Sequence, residues 1–188
     1  MPFRIGYLLI VVGSAAMTVL VIFARSDSTI AWIRGAQGEE WVGEVLQPLE
    51  SRGFLFLHDR LIPRSRANID HIVVGPPGVF VVETKHYTGR LSESRKRRFV
   101  AQAQREAEAV RQVVSPVAVT PFVCVLEEVD LPWFAEEVDG VRIVWPRELA
   151  KLLRKAPPTL TPDQVRWLAD RIDRTLVAAS GRPAGPAR

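Results

Sequence analysis

The chain has 188 residues, 47% of them apolar and 24% charged, with a net charge of +4. That is an ordinary globular composition, long enough for one domain with a real core plus small additions. The mild basic excess permits a nucleic-acid or anionic-membrane partner without demanding one, and the single cysteine excludes an internal disulfide framework. Cys124 sits in the apolar run 121–126 and reads as a buried core thiol.

Residues 5–24 carry no charged side chain and are bounded by Arg4 and Arg25. About 20 apolar residues span a hydrocarbon core of about 30 Å. A cleaved signal peptide is the rival reading, with an apolar region of about 7–15 residues followed by small residues at the cleavage site. Here the small residues, Gly13 to Ala16, lie in mid-run and bulky Leu20 to Phe23 follow. The run therefore predicts a retained single-pass transmembrane helix. Arg25 and Arg34 tilt the flanking charge toward a cytoplasmic carboxyl-terminal domain.

A short polar spacer, residues 27–29, follows. Residues 39–49 place Trp41, Val42, Val45, Leu46 and Leu49 at helical spacing, and Gly53 follows the helix end. Residues 54–62 read as a strand closed by Pro63. The β-branched and aromatic runs 69–74 and 79–82 flank Gly75-Pro76-Pro77-Gly78, predicting a hairpin with a four-residue loop. Gly89 pivots the next turn. Residues 98–114 read as a second helix and 117–126 as a buried strand. Residues 127–139, which carry Trp133 and Phe134, read as a loop or short helix, and 141–144 as a strand. Pro146 opens a helix to about residue 153. Thr161 caps the last helix, with Pro162 in its first turn; it is expected to reach residue 179, with Val165, Leu168, Ile172, Leu176 and Val177 on one side.

The hairpin carries the chemistry. Pairing outward from its loop sets Val74 against Val79, Ile72 against Val81, and Asp70 against Glu83, with Cβ atoms of such pairs about 4.5–5.5 Å apart. Period-two alternation puts Lys85 on the face of Glu83. Two carboxylates and an ammonium thus converge at the end of otherwise apolar strands. Like charges opposed in a sheet repel, so the pair shares a proton or binds a cation. A hard divalent ion such as Mg²⁺ suits one or two carboxylates. The plain structural alternative is a hairpin end that reaches solvent, with Lys85 neutralising Glu83; a one-residue slip would turn Asp70 to the other face. His71 alternates with Asp70 and reads as packing, His58 and Asp59 read as a strand end, and His86 receives no role.

This order of helix, three strands, helix and strand, with Asp70 and Glu83-Thr84-Lys85 at the hairpin base, resembles the PD-(D/E)xK phosphodiesterase superfamily. More closely, it resembles the nuclease-related domain (NERD) family. Four stretches carry the resemblance: Gly35-Ala36-Gln37-Gly38-Glu39 with Val42 and Leu46; His58-Asp59-Arg60-Leu61-Ile62-Pro63; residues 68–85; and Gln102-Ala103. Together they cover about residues 35–115. The Ile69-Asp70-His71 and Gly78 to Lys85 elements are the specific part. The segment from Gly89 to Gln102 is shorter than the family's, and no Asn-Pro precedes Gln102.

The resemblance implies an α/β, restriction-endonuclease-like αβββαβ core with a mixed sheet, preceded by the transmembrane helix. The organisation expected is an anchor over 1–25, a linker over 26–34, the nuclease-like domain over 35–155, a C-terminal helix over 156–180 and a disordered tail over 181–188. The resemblance also implies Mg²⁺ or Mn²⁺ held by Asp70 and Glu83, with the Thr84 carbonyl as a further candidate ligand. Lys85 would position the attacking water, Glu39 would reach the metal directly or through water, and Gln102 would orient water or phosphate. Arg95, Lys96, Arg97 and Arg98, expected between hairpin and second helix, would draw a nucleic-acid backbone, DNA foremost. The alternative is a non-catalytic nucleic-acid-binding or interaction module on the same fold.

Overall fold

The computed structural model describes residues 38–65, 67–87, 89–126 and 136–179. The expected anchor, the linker, the tail over 181–188 and the loop with Trp133 and Phe134 lie outside them. Among the described residues no helix is long and apolar enough to cross a membrane.

A helix over 38–46 (α1) tightens into a 3-10 turn, Gln47–Arg52, where Pro48 removes a donor. Gly53, at φ +82°, ends it in the left-handed region that glycine adopts without strain. Three antiparallel strands follow, β1 (Leu55–Leu61), β2 (Asn68–Gly75) and β3 (Gly78–His86). The long helix α2 (Glu93–Val114) crosses to β4 (Val119–Leu126), parallel to β3. β5 (Glu136–Val138) and β6 (Val141–Val144) form a hairpin whose second strand runs parallel to β4. The six-stranded mixed sheet has the order β1-β2-β3-β4-β6-β5. Helices α3 (Pro146–Lys155) and α4 (Pro162–Thr175) complete the chain.

Each sheet face has its own core. Leu57, Ile72, Val74, Val79 and Val81 pack beneath α2 and α4, against Ala107, Val110, Leu168 and Ile172. On the opposite face Val73, Phe80, Val82, Phe122 and Cys124 pack against Val42 and Leu46 of α1 and Leu149 and Leu153 of α3. The result is a helix-sheet-helix sandwich built by alternating side chains. Cys124 is buried, and burial pushes its thiol up, as a core cysteine requires.

Several expectations change. Gly75 pairs with Gly78, so the hairpin turn is Pro76-Pro77 alone and not a four-residue loop. β5 lies within the stretch expected as loop or short helix. The last helix stops at Thr175, and Val177 is exposed because the chain there leaves helix to run beside β1, where Leu61 N–H donates to the Val177 carbonyl at 2.9 Å. Most consequentially, α2 starts at Glu93 rather than residue 98, so the basic cluster lies on the helix and not before it.

Candidate active site

The hairpin register matches the sequence expectation through Ile72–Val81 and His71–Val82. One step further, the Asp70 carboxylate Oδ2 accepts the Thr84 N–H at 2.8 Å. Glu83 is 1% exposed and Asp70 8%, although both stand near the end of the β2–β3 ladder. The Lys85 ammonium pairs with Glu83 Oε1 and lies 5.4 Å from the centre of the Phe99 ring of α2, which fixes it beside the carboxylates. Asp70, Glu83 and Lys85 are thus brought together.

Glu39 joins them from α1. A Cβ at Gly38 would collide with the Leu126 side chain, so glycine there lets α1 lie close to the ends of β3 and β4. Burial raises the Glu39 carboxyl above its ordinary range; the charges of Asp59 and Glu83 add to this, and Lys85 opposes it. Burial likewise pushes Asp70 up to about 8. Glu83 and Glu39 reinforce that effect, while the Thr84 N–H and Lys85 oppose it.

Gln102 does not stand free. Its Nε2 donates at 2.9 Å to Oε1 of Glu106, one turn along α2. Glu106 is the residue that sequence reasoning missed. It is 1% exposed, and burial pushes it up to about 9, helped by the charge of Glu83 and a side-chain hydrogen bond with it. Glu106 Oε2 and Glu83 Oε2 have no conventional donor among the described residues, so a proton on Glu106 would be the link between the two acids. The signal was available: Glu106 is in phase with Phe99, Ala103, Ala107 and Val110 on the buried stripe of α2.

The basic cluster divides. Lys96 is buried and held by Glu93 and Glu136, at 2.8 and 2.6 Å. Arg95 bonds the Tyr87 hydroxyl and lies over its ring. Arg97 and Arg98 are exposed. On the sheet face away from Asp70, His71 Nδ1 stands 2.8 Å from His58 Nδ1, and burial pushes His71 down to about 3, so it packs there as a neutral ring. Among the described residues no group of three or more His, Cys, Asp or Glu side chains is arranged to hold a metal ion.

Residues 34–126 match the nuclease-related domain family. An uncharacterized protein of Bacillus anthracis is 38% identical over 66 residues, 34% of this chain and 31% of that protein, so the match covers less than a third of the relative's length. Among solved structures the chain is similar to a repair endonuclease from Pyrococcus abyssi, with 15% identity and a TM-score of 0.34 over 65% of this chain and 45% of that one. It is also similar to a protein of unknown function from Silicibacter pomeroyi, with 17% identity and a TM-score of 0.33 over 74% and 79% of the two chains. The family match over residues 34–126 spans the hairpin that carries Asp70 and Glu83-Thr84-Lys85, so this stretch is similar to a nuclease-related domain.

Proposed function

We propose that the chain is a metal-dependent nuclease that hydrolyses phosphodiester bonds of DNA, held at the cell membrane by residues 5–24 with its catalytic domain in the cytoplasm. The supporting observation is the buried pair Asp70 and Glu83 on adjacent strands, with the Lys85 ammonium against Glu83.

The donor set fits Mg²⁺ or Mn²⁺. All the candidate ligands are hard oxygens, and Lys85 opposes the charge of the acids around Asp70. Mg²⁺ is held through one or two carboxylates and keeps several waters, so it does not require a closed protein cage. Asp70 and Glu83 would hold the ion with the Thr84 carbonyl, and Glu39 would reach it directly or through water. Such an ion, when bound, acidifies a water and stabilises charge on the phosphate.

Lys85 would orient the attacking water. Its side chain is 24% exposed and its ammonium pairs with the buried Glu83. The Phe99 ring restrains it there. Arg95, Arg97 and Arg98 rise from the first turns of α2 and would draw the phosphate backbone, a salt-dependent attraction. Lys96, already held by two carboxylates, is left out of that role.

The test is a cleavage assay of the 188-residue chain, purified in detergent, on linear and circular DNA with Mg²⁺, Mn²⁺ or EDTA. Metal-dependent cleavage that EDTA abolishes is the expected result. Tight DNA binding with no cleavage under either metal would favour the non-catalytic module instead.

A further inference from the structure

Lys85 and Tyr87 follow one another at period two along the end of β3 and the residue beyond it, and both meet α2. Lys85 Nζ lies 5.4 Å from the centre of the Phe99 ring. Arg95 donates to the Tyr87 hydroxyl, and its guanidinium carbon lies 4.5 Å from the centre of the Tyr87 ring. Moving outward along the strand therefore means moving back along the helix, toward its first turn. The Arg98 guanidinium carbon lies 5.7 Å from the centre of the same Phe99 ring, so one aromatic side chain links Arg98 to Lys85. Arg95 and Arg98 are three residues apart, about 4.5 Å along the helix axis, and share a face with Gln102. Arg97 is turned about 200° from Arg95 around the helix, on the side of Glu93. Among the described residues no carboxylate forms an ion pair with Arg95 or Arg98. A guanidinium held by an aromatic ring keeps its charge and its fork of donors for an outside anion, whereas one paired with an acid has both taken up.

We infer that Lys85, Arg98 and Arg95 form a track for successive phosphates of one DNA strand, leading away from the carboxylates along the first turns of α2. This rests on the reading of DNA as the partner and of Lys85 as the group at the reacting phosphate. The rings set the spacing: Phe99 places Arg98 next to Lys85, and Tyr87 places Arg95 one helical turn further out. Cations fixed in a row suit a polyanion with a charge on every nucleotide. Such contacts go to the backbone, so the track fixes where the strand lies and carries no base sequence. Arg97, on the other side of α2, adds only to the long-range field.

The experiment measures binding of a short DNA duplex to the 188-residue chain in detergent and EDTA, over a range of salt, for wild type, Arg95→Gln, Arg98→Gln and Arg97→Gln. Each variant removes one positive charge, so only its place on the helix differs. Arg95→Gln and Arg98→Gln should each weaken binding and flatten the slope of log K against log salt by about 0.9, the value of one phosphate contact on duplex DNA. Arg97→Gln should keep the wild-type slope. Equal flattening in all three variants would overturn the track in favour of diffuse attraction, and a wild-type slope in Arg98→Gln would overturn it as well. Thermal melts report folding; should Arg95→Gln fail to fold, the comparison of the exposed Arg98 with the exposed Arg97 decides alone. Cleavage of the same duplex with Mg²⁺ is scored separately. Wild-type cleavage with indistinguishable slopes overturns the track and keeps the nuclease, whereas the expected order of slopes without cleavage supports the track and removes the nuclease. A wild-type chain that binds no DNA overturns both.

Discussion

Asp70→Asn should stabilise the metal-free protein, and the gain should grow with pH. In the folded chain burial, Glu83 and Glu39 hold the Asp70 carboxyl protonated up to about 8, against an ordinary value of 3.8. A group whose folded value is raised lends its full stability only below the unfolded value; the contribution drains away as pH climbs toward the folded value. The window therefore runs from about pH 4 to about pH 8. Each tenfold change in protonation ratio is worth about 1.4 kcal/mol, so at pH 7 the mismatch weakens the fold by about 4 kcal/mol. The neighbouring acids share that penalty, which leaves about 2–4 kcal/mol attributable to Asp70. Asparagine carries no charge to desolvate, and its carbonyl oxygen still accepts the Thr84 N–H. Urea unfolding in EDTA at pH 5, 7 and 8.5 measures both chains. Wild type should lose stability across that range with a steeper slope than Asp70→Asn, and the two curves should converge toward pH 4. A wild-type stability that is flat or rising from pH 5 to 8, or an Asn variant less stable at pH 8.5, would refute the electrostatic account of the site.

Lys85→Ala should lower the cleavage rate about 10²–10³-fold, the value of one electrostatic contact made in the transition state; Mn²⁺ affinity should be kept or rise, because a nearby positive charge is lost. Survival of cleavage within a few-fold would remove Lys85 from the mechanism. Charge reversal of the exposed pair Arg97 and Arg98 should weaken DNA binding and flatten its salt dependence by about one unit of slope per lost contact. Lys96→Ala should instead lower the melting temperature, because Glu93 and Glu136 lose their shared partner. Filter binding over a range of salt, together with thermal melts, separates the two effects. Full-length protein should resist carbonate extraction from membranes, whereas a mature chain beginning near Ala24 would point to a cleaved leader.

The legible parts of this fold are those set by local physics. Alternating β-branched residues on either side of Gly-Pro-Pro-Gly fixed the hairpin register, since a slip of one residue would turn Ile72, Val74, Val79 and Val81 away from the core that α2 and α4 cover. Thr161 and Pro162 marked the start of α4, where Thr161 Oγ1 accepts the Gln164 N–H at 3.3 Å and Gln164 answers in a capping box. The parts that escaped depend on partners distant in sequence. Residues 93–98 show no apolar periodicity, and the first turns of α2 are tied down by Lys96 reaching Glu136 on β5. β5 itself is three residues long and is recruited by pairing with β6. Glu106 was hidden by its neighbours, because an acid in a stretch rich in Glu, Gln and Arg looks like solvated surface until the helix phase is counted.

These misses bear on how the site is built. The sandwich is ordinary where its layers are apolar and departs from that pattern at one end of the sheet. There β2 ends its pairing with β3 and gives a carboxylate to a main-chain N–H, β3 carries Glu83 and Lys85, α1 brings Glu39 beside Gly38, and α2 turns Glu106 inward. Any one of these acids could be absorbed as a local oddity. Their convergence from four elements is different, because each buried carboxylate raises the penalty of the next. Such an arrangement lowers the stability of the empty fold, and an ion that binds only the folded chain returns that stability as its concentration rises above Kd. Metal affinity and metal-free instability are on this account two readings of the same charges, so variants that relieve one should diminish the other.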